Sequence, residues 1–146
     1  MQSRVTTLLG LLLLAGCLWG ADASVSRHGI APDSKSYPQT TPKEAFGSVL
    51  KAVELKRYDY LLAQLTDPEE IDARSEVLAG GFKEVVKEAG DKLDAHAVKK
   101  LRRFLDEGEF ETLENRAVVR LKGVPNRVVR FRKIDKRWYL QNTSKP

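Results

Sequence analysis

The apolar residues change their spacing at Phe110, and this change constrains the fold more than any other feature of the chain. Before Phe110, apolar residues recur every three or four positions, which is the period of an amphipathic helix. After it, short runs of β-branched and aromatic residues are separated by turn residues, which is typical of strands joined by tight turns. Helices followed by strands predict an α+β fold, in which N-terminal helices pack on an antiparallel sheet.

The helical half begins at a strong start signal. Thr41 can cap the first helix, Pro42 suits its first position, and Glu44 can complete a capping box. We expect this helix to end near Lys56. Further helical segments are predicted at residues 58–65, after the start signal Thr66-Asp67-Pro68-Glu69-Glu70, at 82–89 with Gly90 as the end, and at 94–107.

The strand half contains three apolar runs that fit a meander. They lie at residues 117–122, 128–134 and 137–142. The turn residues 123–126 and 135–136 separate them, so neighbouring strands are expected to pair antiparallel. The chain has 146 residues, a length that fits one domain, which we place at 42–142 with 143–146 as a tail.

Residues 1–23 resemble a targeting segment. Arg4 supplies a basic start and residues 5–14 form an apolar run that is too short and too interrupted by glycine to span a membrane. Two processing sites remain open. Cleavage before Cys17, in Leu-Ala-Gly-Cys, would leave a bacterial lipoprotein with residues 1–16 removed and Cys17 lipidated. Cleavage after Ala23, in Ala-Asp-Ala, would release the protein.

Both processing routes predict export to the periplasm or cell envelope, and lipidation would add membrane contact through the anchor. Cys17 is the one cysteine, so the folded domain has no disulfide, thiolate metal site or cysteine nucleophile. Residues 24–41 are rich in Ser, Thr, Gly and Pro without an apolar period, and are predicted to be a flexible linker.

Two stretches of the chain form a familiar pattern. Residues 41–61 contain Thr-Pro-Lys-Glu-Ala-Phe, Leu-Lys-Ala-Val and Arg-Tyr-Asp-Tyr-Leu, and residues 128–140 read Val-Val-Arg-Phe-Arg-Lys-Ile-Asp-Lys-Arg-Trp-Tyr-Leu. They resemble the nuclear-transport-factor-two-like (SnoaL-like) superfamily, in particular its small exported bacterial members. The resemblance implies a curved antiparallel sheet wrapped around a long N-terminal helix, forming a cone. Residues 66–109 look more helical than is usual for that superfamily, so the strand number stays open.

A cone of this kind encloses a cavity, and the apolar residues of the first helix and the terminal hairpin are the candidates to line it. The predicted cavity-lining residues are Phe46, Leu50, Tyr58, Phe131 and Trp138. The superfamily contains enzymes, pure ligand binders and scaffolds, so the fold alone assigns no activity. Its enzymes place carboxylates, His or Tyr inside the cone, and no such set can be carried over to this chain. No catalytic residue is therefore assigned.

An enzymatic role would depend on Tyr58, Asp59, Tyr60 or His96, which include the one imidazole of the folded part. We expect instead that one tyrosine fills the core, that Asp59 caps a helix and that His96 lies at the surface. The acidic residues between Asp67 and Asp72 have the chemistry of a hard-cation site, but a solvated helix start explains them better. We predict no metal and no cofactor.

Charge is distributed unevenly along the chain. Residues 116–137 carry nine basic side chains against one acidic, a net of +8, whereas residues 66–114 carry fourteen acidic against eight basic, a net of −6. Four basic residues are predicted to form a cationic surface on the sheet: Arg120, Arg130, Arg132 and Lys133. Such a surface suits an acidic component of the envelope, or serves only to keep the sheet soluble. Export disfavours nucleic acid, and like charges disfavour a symmetric face-to-face dimer.

Three hypotheses follow from these features. The first is an exported, non-catalytic domain that binds a small ligand in its cavity or a partner through its basic sheet. The second is a cofactor-independent lyase, isomerase or hydrolase acting on a small molecule in the cavity. The third is a structural envelope component whose core is filled by its own side chains. A cavity with a few convergent polar groups would distinguish the first two from the third.

Overall fold

The computed structural model describes residues 25–141, so the predicted signal segment with Cys17, and the predicted tail at 143–146, lie outside the described residues. Within them the helices precede the strands, which confirms the α+β prediction. The elements are α1 (Pro42–Glu54), α2 (Tyr58–Tyr60) continued by a π-helical turn (Leu61–Leu65), α3 (Pro68–Val77), α4 (Gly81–Lys92), α5 (Ala95–Glu107), β1 (Glu109–Leu113), β2 (Arg116–Arg120), β3 (Val128–Ile134) and β4 (Arg137–Gln141). None of the helices within 25–141 has the length and apolarity needed to cross a membrane.

The N-terminal cap of α1 forms as predicted, except that one hydrogen bond involves a different residue. The Thr41 side chain accepts a hydrogen bond from the backbone N–H of Glu44 at 3.1 Å, and Pro42 occupies the first turn. The Glu44 carboxylate accepts from the backbone N–H of Thr40 at 3.2 Å, one residue earlier than in a capping box. The helix ends at Glu54, and Lys56 then adopts a left-handed backbone conformation (φ 55°).

Two helical predictions need correction. The segment predicted as an ordinary helix at 58–65 is α-helical only over its first three residues and continues as the π-helical turn. Gly90 does not end α4, which runs on to Lys92. A Cβ at Gly90 would lie 3.3 Å from the ring of Tyr58, so this glycine allows α4 to approach that ring closely.

The sheet is an antiparallel meander in the order β1-β2-β3-β4. The sequence predicted β2, β3 and β4 but not β1. The apolar pattern of β1 is weak because Glu109 and Glu111 alternate with Phe110, and Leu113 remains exposed. Phe110 pairs with Val119 of β2, so the tertiary pairing compensates for the weak local signal.

The core lies between α1 and one face of the sheet, which we call the inner face. Its side chains alternate along the strands and are mostly buried: Phe110, Ala117, Val119, Val129, Phe131, Trp138 and Leu140. Phe46 of α1 packs against Phe131 with ring centroids 5.5 Å apart. The same face contacts Phe104 of α5, which is buried in this cluster. Apolar packing therefore joins the inner face of the sheet to the helices.

The segment before α1 was predicted to be a flexible linker, but from residue 27 it packs against the domain. Tyr37 is buried and stacks on Tyr60 with ring centroids 4.3 Å apart. Gln39 is also buried, and its side-chain amide donates to the carbonyls of Gln64 and Trp138. These residues form part of the folded unit.

The start of the same segment is anchored on α3 and α4. Arg27 donates to the carbonyl of Ala63 at 3.1 Å and to the carboxylate of Asp72 at 2.6 Å. The ring of His28 stacks on Phe82 with centroids 4.0 Å apart and lies 3.2 Å from the same carboxylate. The segment attaches to the domain mainly through polar contacts. Its low apolar content therefore did not predict that it belongs to the folded domain.

Candidate ligand-binding cavity and its basic groove

A cavity of about 330 Å³ lies between the helices and the inner face of the sheet. Its wall is mainly apolar and is contributed by α1, the π-helical turn, α3, α4, α5, β3 and β4. The apolar side chains include Val49, Val53, Leu61, Ile71, Val129 and Leu140. Val49 and Val53 are four residues apart on α1 and so share one face of the helix. Val129 and Leu140 come from adjacent strands and point to the same side of the sheet.

Few polar side chains border this cavity. The hydroxyl of Thr66 donates to the carbonyl of Leu61 at 3.0 Å, so its hydrogen is satisfied within the protein. Arg74 is ion-paired with Glu88, which joins α3 to α4 beside the cavity. Glu70 and Lys92 also lie at its border. An apolar interior with a small number of polar groups at one side is the usual composition of a small-molecule site.

A wider groove of about 750 Å³ adjoins the cavity. The two share wall residues, namely Lys92, Leu93, Leu101, Val128 and Val129. The groove runs between the start of α5 and the chain that enters β3, and it is more polar than the cavity. Its basic border residues are Lys92, His96, Lys100, Arg127 and Arg130. The structure therefore places an apolar space directly beside a cationic one.

One acidic side chain, Asp94, borders this groove. It is the N-cap of α5, and its carboxylate accepts a hydrogen bond from the backbone N–H of Ala97 at 2.8 Å. The carboxylate is thus directed towards the helix end that it caps. Within residues 25–141, Lys92, Lys100 and Arg127 form no ion pair. The groove therefore carries a local excess of positive charge.

The residues predicted to line a cavity lie elsewhere. Phe46, Leu50, Phe131 and Trp138 are buried, and none of them borders the cavity or the groove. The large aromatic side chains fill the space between α1 and the sheet. Tyr58 is half-buried and packs against α4 at Gly90. The centre of the sheet is thus solid, and the open space lies to one side of it.

Of the four residues considered for catalysis, only His96 borders the groove, and none borders the cavity. The hydroxyl of Tyr60 accepts a hydrogen bond from the backbone N–H of Asp33 at 2.8 Å, and burial raises the pKa of this tyrosine. Burial acts to raise the pKa of Asp59, but the hydrogen bond from Arg57 and the neighbouring charge outweigh it and lower that pKa. His96 is exposed in the first turn of α5 and borders the groove, away from the tyrosines.

The basic residues predicted on the sheet divide between its two faces. Arg120, Arg130 and Arg132 lie on the outer face of the sheet, which is the face opposite the inner one. Arg116 lies on the same face and pairs with Arg132. Lys133 belongs to the opposite face and lies 5.9 Å from the centre of the Trp138 ring. Successive side chains of a strand point to opposite faces, so Lys133, which directly follows Arg132, lies on the inner face.

Arg132 is tied to the helical half of the molecule. It contacts Glu69 at 2.8 Å and the buried carboxylate of Asp67 at 3.3 Å. The hydrogen bond from Arg132 lowers the pKa of Glu69. Asp67 also caps α3, accepting from the backbone N–H of Glu69. The acidic cluster therefore serves the helix start and the sheet contact, and no group of three potential metal ligands occurs among residues 25–141.

Comparison of the chain with family models, with curated proteins and with solved structures finds no match. The candidate site therefore rests on the geometry of the described residues. Sequence reasoning assigned Arg130 to a surface on the sheet, and it missed the groove because the other basic residues come from segments of opposite overall charge. Lys92 and Lys100 belong to the acidic half, whereas Arg127 lies in the turn before β3.

Proposed function

We propose that this protein is an exported binding domain that takes up a small, largely apolar molecule in the cavity beside the sheet. The observation that supports this function is the cavity itself, about 330 Å³ with a mainly apolar wall. This volume is at the lower end of the range of small-molecule sites. Burial of apolar ligand surface would supply the binding free energy, about 25 cal/mol per Å² removed from water.

A cavity-filling variant tests this function. Ala89 of α4 borders the cavity, so an Ala89→Trp side chain would occupy the space that a ligand needs. Ala73→Trp is the matched control, because Ala73 is exposed on α3 and borders neither cavity nor groove. Binding is measured by titration with the neutral fluorescent probe N-phenyl-1-naphthylamine, and folding by circular dichroism.

The wild type and Ala73→Trp should bind the probe, with increased and blue-shifted emission. A folded Ala89→Trp variant should bind about ten-fold more weakly, which corresponds to about 1.4 kcal/mol. Equal binding by the two tryptophan variants would show that the probe binds outside the cavity. Absence of binding to the wild type would overturn the proposed function.

The export part of the proposal is supported by the basic start and short apolar run of residues 1–23. It is tested by the mass of the protein isolated from its own cells. A chain that begins at acylated Cys17 identifies a lipoprotein, and one that begins at Ser24 identifies cleavage after Ala23. A chain that retains residues 1–23 would contradict export by either route.

The superfamily relation is also part of the proposal. It is supported by the segments 41–61 and 128–140, and by the position of α1, which contacts both β1 and β4 across the inner face. Under this proposal the sheet curves around α1 in the manner of a cone. A crystal structure with a flat sheet would contradict it.

A second candidate function is the binding of an acidic envelope component by the outer face of the sheet. The observation that favours it is that Arg116 and Arg130 are exposed on this face and form no ion pair within residues 25–141. The double variant Arg116→Gln, Arg130→Gln should then weaken association with anionic polymers, and added salt should have the same effect. Association that is insensitive to both changes would exclude this candidate.

A further inference from the structure

We infer that the ligand of the cavity is an amphipathic anion, with an apolar part in the cavity and a negatively charged group in the adjoining basic groove. This inference rests on the proposed function and names the chemical class of the ligand.

The first step is the continuity of the two spaces. Leu93, Leu101 and Val129 border both the cavity and the groove, so one molecule can contact both. The cavity has few polar groups, whereas the groove is bordered by charged side chains from α4, α5 and the turn before β3. The change from apolar to charged surface along this path matches a molecule with two chemically different ends.

The second step is the sign of the charge at the groove, which is positive. Lys92 lies at the end of α4, Lys100 on α5 and Arg127 directly before β3, so three separate elements place cations at one groove. The acidic side chain at the groove, Asp94, already accepts a hydrogen bond from the backbone N–H of Ala97. An anionic group would therefore meet an excess of cations, and a cationic group would be repelled.

The third step is that these cations are not used by the fold. Other basic residues of the helices are paired, among them Arg74 with Glu88, Arg102 with Glu54 and Arg103 with Glu107. Lys92, Lys100 and Arg127 form no such pair within residues 25–141, so their N–H donors remain available to a ligand. The apolar wall beside them excludes part of the water that would screen a bound anion, which strengthens the attraction.

The experiment compares dodecyl compounds that share one apolar chain and differ in the head group. Dodecanoate, dodecyl phosphate, dodecanol and dodecyltrimethylammonium are each used, below their micelle-forming concentrations, to displace N-phenyl-1-naphthylamine from the purified full-length protein. Dodecanoate or dodecyl phosphate should displace the probe at about ten-fold lower concentration than dodecanol, and the ammonium compound should be the weakest. The ranking of the two anions distinguishes a carboxylate from a phosphate ligand.

A charge-matched pair of variants assigns the preference to the groove. The double variant Lys100→Gln, Arg127→Gln removes two groove cations, whereas Lys99→Gln, Lys122→Gln removes two exposed cations that border neither space. The first should weaken binding of the preferred anion about ten-fold, from about three-fold per cation, and leave dodecanol binding unchanged. The second should leave both unchanged.

The outcomes separate this inference from the proposed function. If the probe binds and dodecanol competes as well as both anions, the ligand class is overturned while the cavity function stands. If both double variants weaken the anion equally, the effect is that of net charge and the groove is overturned as the head-group site. If neither the probe nor any dodecyl compound binds, both proposals fail.

Discussion

Gln39 and Trp138 are hydrogen-bonded to each other twice, although they are 99 positions apart in the chain. The side-chain amide of Gln39 donates to the carbonyl of Trp138 at 2.8 Å, and the backbone N–H of Trp138 donates to the carbonyl of Gln39 at 2.9 Å. A little further along the same edge, the backbone N–H of Asp67 donates to the carbonyl of Leu140 at 2.8 Å. The free edge of β4 is thus covered by two connecting segments, which protects it from pairing with another chain.

The Gln39→Ala variant should lose about 1–3 kcal/mol of unfolding free energy. Gln39 is buried, and the variant leaves the carbonyl of Trp138 without its side-chain donor and removes the side-chain oxygen to which Arg137 donates. Urea denaturation followed by circular dichroism measures the loss. Ser34→Ala, at an exposed position in the same segment, is the control and should change little. Equal stability of the two variants would show that the segment is not held by this residue.

Two glycine variants should change stability in opposite directions. A Cβ at Gly108 would overlap the carbonyl oxygen of Phe104 and lie 2.6 Å from the side chain of Val119, so Gly108→Ala should cost about 2 kcal/mol or more. A Cβ at Gly47, within α1, would meet nothing within 4 Å, so Gly47→Ala should stabilise by about 0.5–1 kcal/mol. Thermal unfolding of both variants measures the effects. A stable Gly108→Ala protein would contradict the close approach of α5 to β2.

The ion pair between Glu69 and Arg132 should make stability depend on pH in the acidic range. Because Arg132 lowers the pKa of Glu69, the unfolded chain binds this proton more tightly than the folded one. The contribution is therefore complete above the ordinary pKa of a glutamate and is lost as the pH falls through the lowered folded pKa. As the pH falls through this range, the difference in unfolding free energy between the wild type and Glu69→Gln should shrink.

The control for this pH dependence is Glu76→Gln, at an exposed position on the same helix with no ion pair within the described residues. Denaturant midpoints are measured at a series of pH values for all three proteins. The difference between wild type and Glu76→Gln should not follow the same course. A pH-independent difference for Glu69→Gln would exclude the carboxylate as its source.

The Asp94→Asn variant should bind an amphipathic anion more tightly than the wild type. Asparagine retains the capping oxygen that accepts the backbone N–H of Ala97, and it removes the negative charge at the basic groove. An increase of about two- to three-fold in affinity for dodecanoate is expected, with dodecanol unaffected. Displacement titration of the neutral probe measures both. A decrease for dodecanoate would mean that its head group does not meet the groove cations.

Local chemistry alone predicted the parts of the fold that depend on neighbours in the chain. Thr41 was predicted to cap the first helix, and it accepts the backbone N–H of Glu44 as expected. The order of helices and strands was also predicted, because the apolar period changes from helical to strand spacing within the chain itself. Gly90 was misread because its role is contact with Tyr58, which is distant in sequence.

The sequence by itself determined the helix starts, the α+β order and three of the four strands, since these follow from interactions between residues a few positions apart. Only the tertiary structure decided that β1 joins the sheet, that the segment before α1 covers an edge, and which side chains surround the cavity. Lys92 at the end of α4, Lys100 of α5 and Arg127 before β3 border one groove although they come from separate elements. Side chains from separate elements converge only after packing fixes their positions, and no local pattern in the sequence records that convergence.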